Sequence, residues 1–308
     1  MSTKSLPTTV WIAFIAVCFF WGTTYLGIKI AMQYFPPFWF SGFRHVVAGL
    51  IFILISVLKG YPFPSRRDTL RLFVVGCFMV IGGNALLSWA EIYISSGLAG
   101  ILSSMAPLFI TLLSIFFFKG FRVTWVIFGG LILSIIGILL LSKPDETLKV
   151  TEGFTLGICL TIVANLCWAF GSIFMKKYPV NAHVFMRTGV QIASAGSFNL
   201  IVGSVFEPKI NFSAVPTEGW LAAAYLITFG SLVGYTCLVY LLEYMAPARV
   251  SIHVYVNTVV AVLIGWLLAG EHLTWLMVGA MAIILLGVII VNNEYSKMAQ
   301  KAAEAAKS

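Results

Sequence analysis

Ten apolar runs constrain this 308-residue chain more than any other feature. They cover about 10–33, 37–58, 70–91, 94–118, 122–142, 153–177, 182–206, 218–243, 246–269 and 274–293. A bilayer-spanning helix needs roughly 20 mainly apolar residues, and every run is close to that. The chain is 60% hydrophobic and 10% charged, with a mean hydropathy of +0.99. A soluble fold of this size has no interior large enough for so much apolar surface. In hydrocarbon, each backbone N–H and C=O must find its partner inside the chain, so such runs form helices. The predicted fold is an all-α integral membrane protein. The first run is full length and follows a short polar start, so it is read as a span and not as a cleaved signal.

The runs fall into two sets of five. Gly120, Trp125, Gly129 and Gly137 recur 150 residues later as Gly270, Trp275, Gly279 and Gly287. Trp21 and Lys29 recur at an offset of 147 as Trp168 and Lys176. Gly82, Leu86 and Glu91 recur at an offset of 152 as Gly234, Leu238 and Glu243. Because five is odd, the second copy must enter the membrane from the opposite side. The expectation is ten transmembrane helices arranged as two inverted five-helix repeats, with a substrate site near the midplane between them. Residues 1–142 form the first repeat, 143–152 a polar linker carrying Pro144, Asp145 and Glu146, 153–294 the inverted second repeat, and 295–308 a cytoplasmic tail.

Net charge is +8, but its distribution argues against a nucleic-acid partner. With the N-terminus inside, Lys4, Lys59, Arg66, Arg67, Arg71, Lys119, Arg122, Lys176, Lys177, Arg249, Lys297, Lys301 and Lys307 fall on the inner side. Only Lys143, Lys149 and Lys209 fall in outer loops. This bias sets both termini in the cytoplasm. Cys18, Cys77, Cys159, Cys167 and Cys237 all lie in apolar runs without a Cys-x-x-Cys pair, which fits small buried hydrophobes. Asn211-Phe-Ser213 matches the glycosylation pattern once, in a short loop, and carries little weight.

Several segments carry a family resemblance. Phe20-Trp-Gly-Thr-Thr-Tyr25, with Pro36, Pro37 and Arg44 after it, resembles the first two helices of the EamA family of the drug/metabolite transporter superfamily. Trp89-Ala-Glu-Ile-Tyr-Ile-Ser-Ser-Gly-Leu-Ala99 and Ser104-Met-Ala-Pro107 resemble its third and fourth helices. Tyr255-Val-Asn257 and Gly270-Glu271 resemble the ninth helix and its exit. The resemblance covers nearly the whole chain. It implies a transporter of small organic metabolites, with export of amino acids or related compounds the commonest case, in a bacterial inner (plasma) membrane. One departure is Thr258, where the family usually has proline. A proline there would bend the ninth helix; in this chain Pro107 keeps such a bend in the fourth.

Polar side chains within spans face the bundle or a cavity, since facing lipid is costly. Trp21, Thr24 and Tyr25 share a face of the first span, and Asn165, Trp168 and Ser172 share one of the sixth. Asn84 and Ser88 sit together on the third, Ser104 and Pro107 on the fourth, Tyr240 on the eighth, and His253, Tyr255 and Asn257 on the ninth. These fourteen are the candidate substrate contacts. For the tryptophans, cavity walls and helix packing both fit; for Asn84, Asn257 and His253, substrate contact and interhelical hydrogen bonding both fit. Gly100, Gly230, Gly234 and Gly265 are read as sites of close helix packing. Lys29, Arg44 and Glu91 are expected toward the outer mouth and Lys176, Arg187 and Glu243 toward the inner one, either as paired gates or as side chains snorkelling to headgroups.

No nucleophile–base pair, metal-ligand spacing or phosphate-cradling glycine loop is present, so no enzyme activity, cofactor or metal is expected. His253 and Glu91 are the candidate proton carriers, with facilitated diffusion or exchange as alternatives. The expected partners are a small-molecule substrate and membrane lipid, with the chain a monomer or weak dimer. A secondary transporter working by alternating access is the leading function; a channel and a non-transporting scaffold or sensor are the alternatives.

Overall fold

The computed structural model describes residues 7–117, 124–141, 152–245, 250 and 252–305. Among them there is no strand; the chain is a bundle of apolar helices. Eight are long and apolar enough to cross a membrane: α1 (Thr8–Ala31), α2 (Pro37–Leu58), α3 (Arg66–Tyr93), α4 (Ser96–Phe117), α6 (Phe154–Lys177), α7 (Val184–Phe206), α8 (Thr217–Tyr244) and α10, which crosses within Trp275–Met298. Two shorter apolar helices complete the bundle, α5 (Trp125–Leu141) and α9 (His253–Ala269). Helix α10 does not stop at the expected tail but runs on to Ala305. Gly120, Lys119, Arg122, Arg249 and the linker residues Pro144, Asp145 and Glu146 lie outside the described residues.

Local chemistry explains where helices begin. Pro36 and Pro37 open α2, where a missing N–H costs nothing. The Ser65 hydroxyl caps α3 by accepting from Asp68 N at 3.2 Å, and the Ser95 hydroxyl caps α4 by accepting from Leu98 N at 3.2 Å. Thr124 and Thr274 cap α5 and α10 alike, accepting from Ile127 N and Met277 N at 3.2 Å each. The next residues, Trp125 and Trp275, are 87% and 90% exposed. Gly129 and Gly279 face open space, whereas Gly137 and Gly287 are pressed against the partner helix. Trp125, Gly129 and Gly137 therefore occupy environments matched by those of Trp275, Gly279 and Gly287.

Helix α2 packs along α7, α5 along α10 and α4 along α9; α1 packs on α8 and α9, and α6 on α3 and α4. Shifting every helix number by five maps this set of pairs onto itself. The α2–α7 seam is built from small residues. A Cβ on Gly49 would sit 2.6 Å from Ala193 N, and one on Gly189 would sit 3.0 Å from the Gly49 carbonyl. Such close approach lets dispersion forces act between backbones where no hydrophobic force drives helices together. The outside of the bundle is apolar: Phe116, Phe206 and Leu268 are all more than 70% exposed. Inside it lie Ser41, His45, Glu91 and Asn199. Apolar outside and polar inside is the arrangement a lipid solvent selects.

The two ends of the bundle are tied differently. At the end where α1 begins, called basal here, Thr9 and Tyr240 share a 2.8 Å hydrogen bond and Tyr61 stacks on His183 at 3.6 Å. At the opposite, distal end, two carboxylates reach across the bundle. Glu207, just after α7, accepts from Phe38 N at 2.9 Å and Trp39 N at 2.7 Å in the first turn of α2. Glu271, just after α9, accepts from Ser96 N at 2.7 Å, Ser96 Oγ at 2.8 Å and Gly97 N at 2.9 Å at the start of α4. Each carboxylate satisfies orphan helix donors and meets the positive end of a helix dipole.

Candidate functional site

A cavity of about 180 Å³ lies inside the bundle, lined by residues between Trp21 and Ala106 and again between Ala164 and Thr258. Seven helices line it: α1, α2, α3, α4, α6, α8 and α9. Of the expected contacts, Trp21, Thr24, Tyr25, Asn84, Ser104, Asn165, Trp168, His253 and Asn257 line it. Ser88, Pro107, Ser172, Tyr240 and Tyr255 do not. Ser88 lies behind the wall, donating to the Asn84 carbonyl at 2.9 Å, and Ser172 donates to the Trp168 carbonyl at 2.8 Å. Tyr240 is at the basal end beside Thr9, and Tyr255 packs into the apolar cluster around Leu98 and Met277.

Two irregular helical stretches shape the walls. Helix α3 is π-helical over Cys77–Ala85 and α8 over Leu226–Val233. Wider turns of this kind re-aim side chains and free carbonyls, and they concentrate at functional sites. The Trp21 indole donates to the Gly230 carbonyl at 3.0 Å. The Trp168 ring lies against Gly83, where an added Cβ would come within 3.1 Å of it. Trp21 and Trp168 differ by 147 in the chain, and so do Gly83 and Gly230. Each half thus sets a tryptophan of its first helix on a glycine in the other half's π-helical stretch. Gly234 serves the same contact, since a side chain there would collide with the Trp21 ring. Gly100 likewise lies against Ala261 of α9, where a Cβ would approach to 2.6 Å. Gly265 lies against the Glu271 carboxylate and the Ser96 hydroxyl.

Helix α4 breaks between Ser103 and Ala106, where the α-helical ladder would need an N–H from Pro107 for the Ser103 carbonyl. Beside the break, Leu102 O accepts from Met105 N at 3.2 Å and from the Asn165 amide of α6 at 3.2 Å. The same amide donates to Thr161 O at 2.9 Å. Helix α9 has no such break. Thr258 donates to Val254 O at 3.0 Å within α9 and to Gly100 O at 3.4 Å on α4. The Asn257 amide, turned to donate, reaches Cys18 O on α1 and His253 O at 2.9 Å each. His253 Nδ1 meets Val250 O at 2.7 Å, and its ring stands edge-on to Trp21 at 5.2 Å. Asn84 donates back to Met79 O at 3.0 Å, a five-residue reach suited to the π-helical turn. These polar groups therefore both join helices and face the cavity.

The charged residues separate. Arg44 lines the cavity, 7% exposed, its Nε donating to the Ser231 hydroxyl at 3.1 Å. Glu91 is fully buried outside the lining, and neither carboxylate oxygen has a hydrogen-bond partner. Lys29 does not meet that carboxylate. Its ammonium donates to the backbone carbonyls of Glu91 at 2.5 Å and Ile94 at 2.9 Å, closing the end of α3. At the basal end Lys176 is exposed and donates to the Tyr295 hydroxyl at 3.2 Å, Arg187 is half-buried, and Glu243 is exposed. Among the lining residues that went unrecognised from sequence are Tyr235 and, as a glycine against an aromatic ring, Gly83. Tyr235 closes the segment Ser231-Leu-Val-Gly-Tyr235 of α8, whose spacing does not single it out.

The EamA-like transporter family matches residues 8–143 and again residues 155–293. The chain belongs to the EamA-like transporter family. The uncharacterized inner membrane transporter YedA of Escherichia coli K12 is 30% identical to it over 282 residues, 91% of this chain and 89% of the relative. An uncharacterized transporter of Archaeoglobus fulgidus is 27% identical over 91% of this chain and 98% of its own. A chloroplastic WAT1-related protein of Arabidopsis thaliana is 26% identical over 92% of this chain and 69% of its own. A crystal structure of a protein 17% identical in sequence shares the fold, with a TM-score of 0.63 over 95% of this chain and 99% of that one. This EamA-family chain is an integral membrane protein, and its central cavity lies within a transporter scaffold.

Proposed function

We propose that this protein is a secondary transporter that moves small organic metabolites, amino acids or related compounds, by alternating access. In this reading the ten helices form two inverted five-helix repeats, with both termini in the cytoplasm of a bacterial cell and export as the working direction. The observation that carries it is the central cavity with its paired walls: Trp21 on Gly230 and Trp168 on Gly83, at one common offset in the chain. The double family match and the self-mapping helix pairs support the repeat. A cavity shared by two similar bundles is where rocking of one against the other exposes a ligand first to one side, then the other. Family and relatives are transporters, which favours this over an enzyme. At about 180 Å³ the space suits a metabolite, below the roughly 300–1,000 Å³ of drug-sized pockets.

The present conformation reads as closed at the distal end, where Glu207 and Glu271 tie helix starts to the opposite half. The outer half of α4, Ser96–Ser103, packs on α9, whereas its inner half, Ala106–Phe117, packs on α6 and α10. Purified protein in liposomes tests the function. Labelled amino acids should show saturable flux above empty vesicles, and Trp21→Ala or Trp168→Ala should cut that flux at least roughly tenfold, since each removes a wall that holds the ligand. Flux equal to that of empty vesicles for every metabolite tried would overturn the reading, and non-saturating flux would point to a channel.

A further inference from the structure

Among the described residues, the cavity wall contains one guanidinium and no carboxylate: Arg44 is the only Arg or Lys in the lining, and neither Asp nor Glu occurs there. Among the described residues no carboxylate comes within ion-pair distance of it. Of its five N–H donors, only the one on Nε is bonded, to the neutral Ser231 hydroxyl, which is itself fully buried. Nη2 passes close over Gly230, where an added Cβ would come within 3.0 Å of it, so the fork occupies space that only a glycine leaves. A buried guanidinium is costly unless an anion and further acceptors complete it. Here the fold holds the group in place by Nε and, among the described residues, leaves both terminal nitrogens without a hydrogen-bond partner. The walls beside it are aromatic: Trp21, Tyr25, Trp168 and Tyr235.

Resting on the transporter reading above, we infer that Arg44 docks the carboxylate of the transported molecule, and that the cargo is a small organic monocarboxylate with an apolar or aromatic body. A guanidinium fork matches a carboxylate in a two-point hydrogen bond, more strongly and with tighter geometry than an ammonium does. One fixed cation balances one negative charge. The rest of the cargo lies against indole and phenol faces, which take flat apolar groups. Any α-amino group would meet only neutral acceptors, the side-chain oxygens of Asn84, Asn165 and Asn257 and the hydroxyls of Ser104 and Thr24. The site therefore requires the acid and tolerates the amine, and it disfavours organic cations outright. Arg44 in this role is a ligand anchor and not half of a gate.

The test uses four probes of one shape on the full-length protein in detergent: 3-phenylpropionate, its amide 3-phenylpropanamide, 3-phenylpropylamine and L-phenylalanine. Binding is read by quenching of tryptophan fluorescence and by the shift in melting temperature. The acid and the amino acid should bind comparably, and the amide and amine at least roughly tenfold more weakly. Arg44→Gln should lower affinity for the acid at least roughly tenfold while leaving the amide unchanged, and Arg44→Lys should fall between. Should Arg44→Gln fail to fold, Arg44→Lys and the wild-type ranking of the four probes still decide the matter. Equal binding of acid and amide, no binding of the acid to the wild type, or competition by inorganic phosphate as strong as by the acid would each overturn the assignment. Acid binding that needs Arg44 but drives no flux in liposomes would sink the transporter reading and leave the anchor standing. Flux of an amine that ignores Arg44 would do the reverse.

Discussion

Glu91 holds a buried carboxyl without a hydrogen-bond partner. It is 0% exposed, neither oxygen is hydrogen-bonded, and the Lys29 ammonium spends itself on main-chain carbonyls. A buried polar group without a partner costs about 1–3 kcal/mol. Glu91→Met keeps the volume and removes that cost, so the variant should melt higher in detergent, by about 1–2 kcal/mol of added stability. Residues that lower stability without packing reason are retained where the working cycle needs them, so flux should fall in the same variant. A lower melting point would show that the carboxyl is satisfied after all. The same residue shows what sequence alone reveals. That Glu91 lies inside an apolar run is legible at once. That Lys29 bonds its backbone and not its side chain depends on where α1 crosses the end of α3. Arg44 illustrates the point again: its spacing put it near a mouth, and only the crossing of α2 with α8 turns it into the cavity. Trp21, Trp168, Asn165 and Asn257 were readable because central polar and aromatic positions in a span have few other places to go.

Among the helices, α4 and α6 form one functional unit. Pro107 removes a donor from α4, and beside that break Asn165 of α6 adds a second donor to Leu102 O across the interface. Asn165→Ala should cost about 0.5–1.5 kcal/mol by removing a cross-helix hydrogen bond, with Leu102 O keeping only its main-chain donor, Met105 N. Asn165→Asp should be no better, because an ionised carboxylate has no hydrogen to give. Melting curves of both variants check this, and an Asp variant as stable as the wild type would mean that Asn165 accepts there instead. The break in α4 was foreseeable, since proline acts locally. The π-helical stretches of α3 and α8 were not. Their residues are mostly apolar ones and glycine, with Asn84, Thr228 and Ser231 among them, and each stretch carries a glycine against which a tryptophan packs from 85 or more residues away. Helix starts at Ser65, Ser95, Thr124 and Thr274 follow simple capping chemistry, while the caps by Glu207 and Glu271 join residues 168 to 175 apart in the chain.

For the molecule as a whole, the halves match in pairing but not in charge. Glu91 is buried at the distal side, while its repeat counterpart Glu243 is exposed at the basal side. The distal end carries five hydrogen bonds to two carboxylates that cross between halves. On the proposed alternating mechanism, such asymmetry is what one state requires: the carboxylate ties that hold one mouth shut are not repeated at the other. Removing them should tilt the balance. Hydrogen bonds to charged groups contribute about 1.5–3 kcal/mol each at most, less where water replaces them, and about 1.4 kcal/mol shifts a two-state population tenfold. Glu207→Ala with Glu271→Ala should therefore raise distal access to the cavity several-fold. A cysteine at Ile28, which lines the cavity on that side, reports this in a background with Cys18, Cys77, Cys159, Cys167 and Cys237 replaced. A membrane-impermeant maleimide added at the distal face should label it faster in the double variant than in the parent. Because both carboxylates also cap helices, a control is needed for simple loosening: labelling of a cysteine at Tyr240, at the basal end, should stay level or slow. Faster labelling at both ends would mean that the carboxylates hold the helices together and do not choose between mouths, and the distal-closed reading would fall.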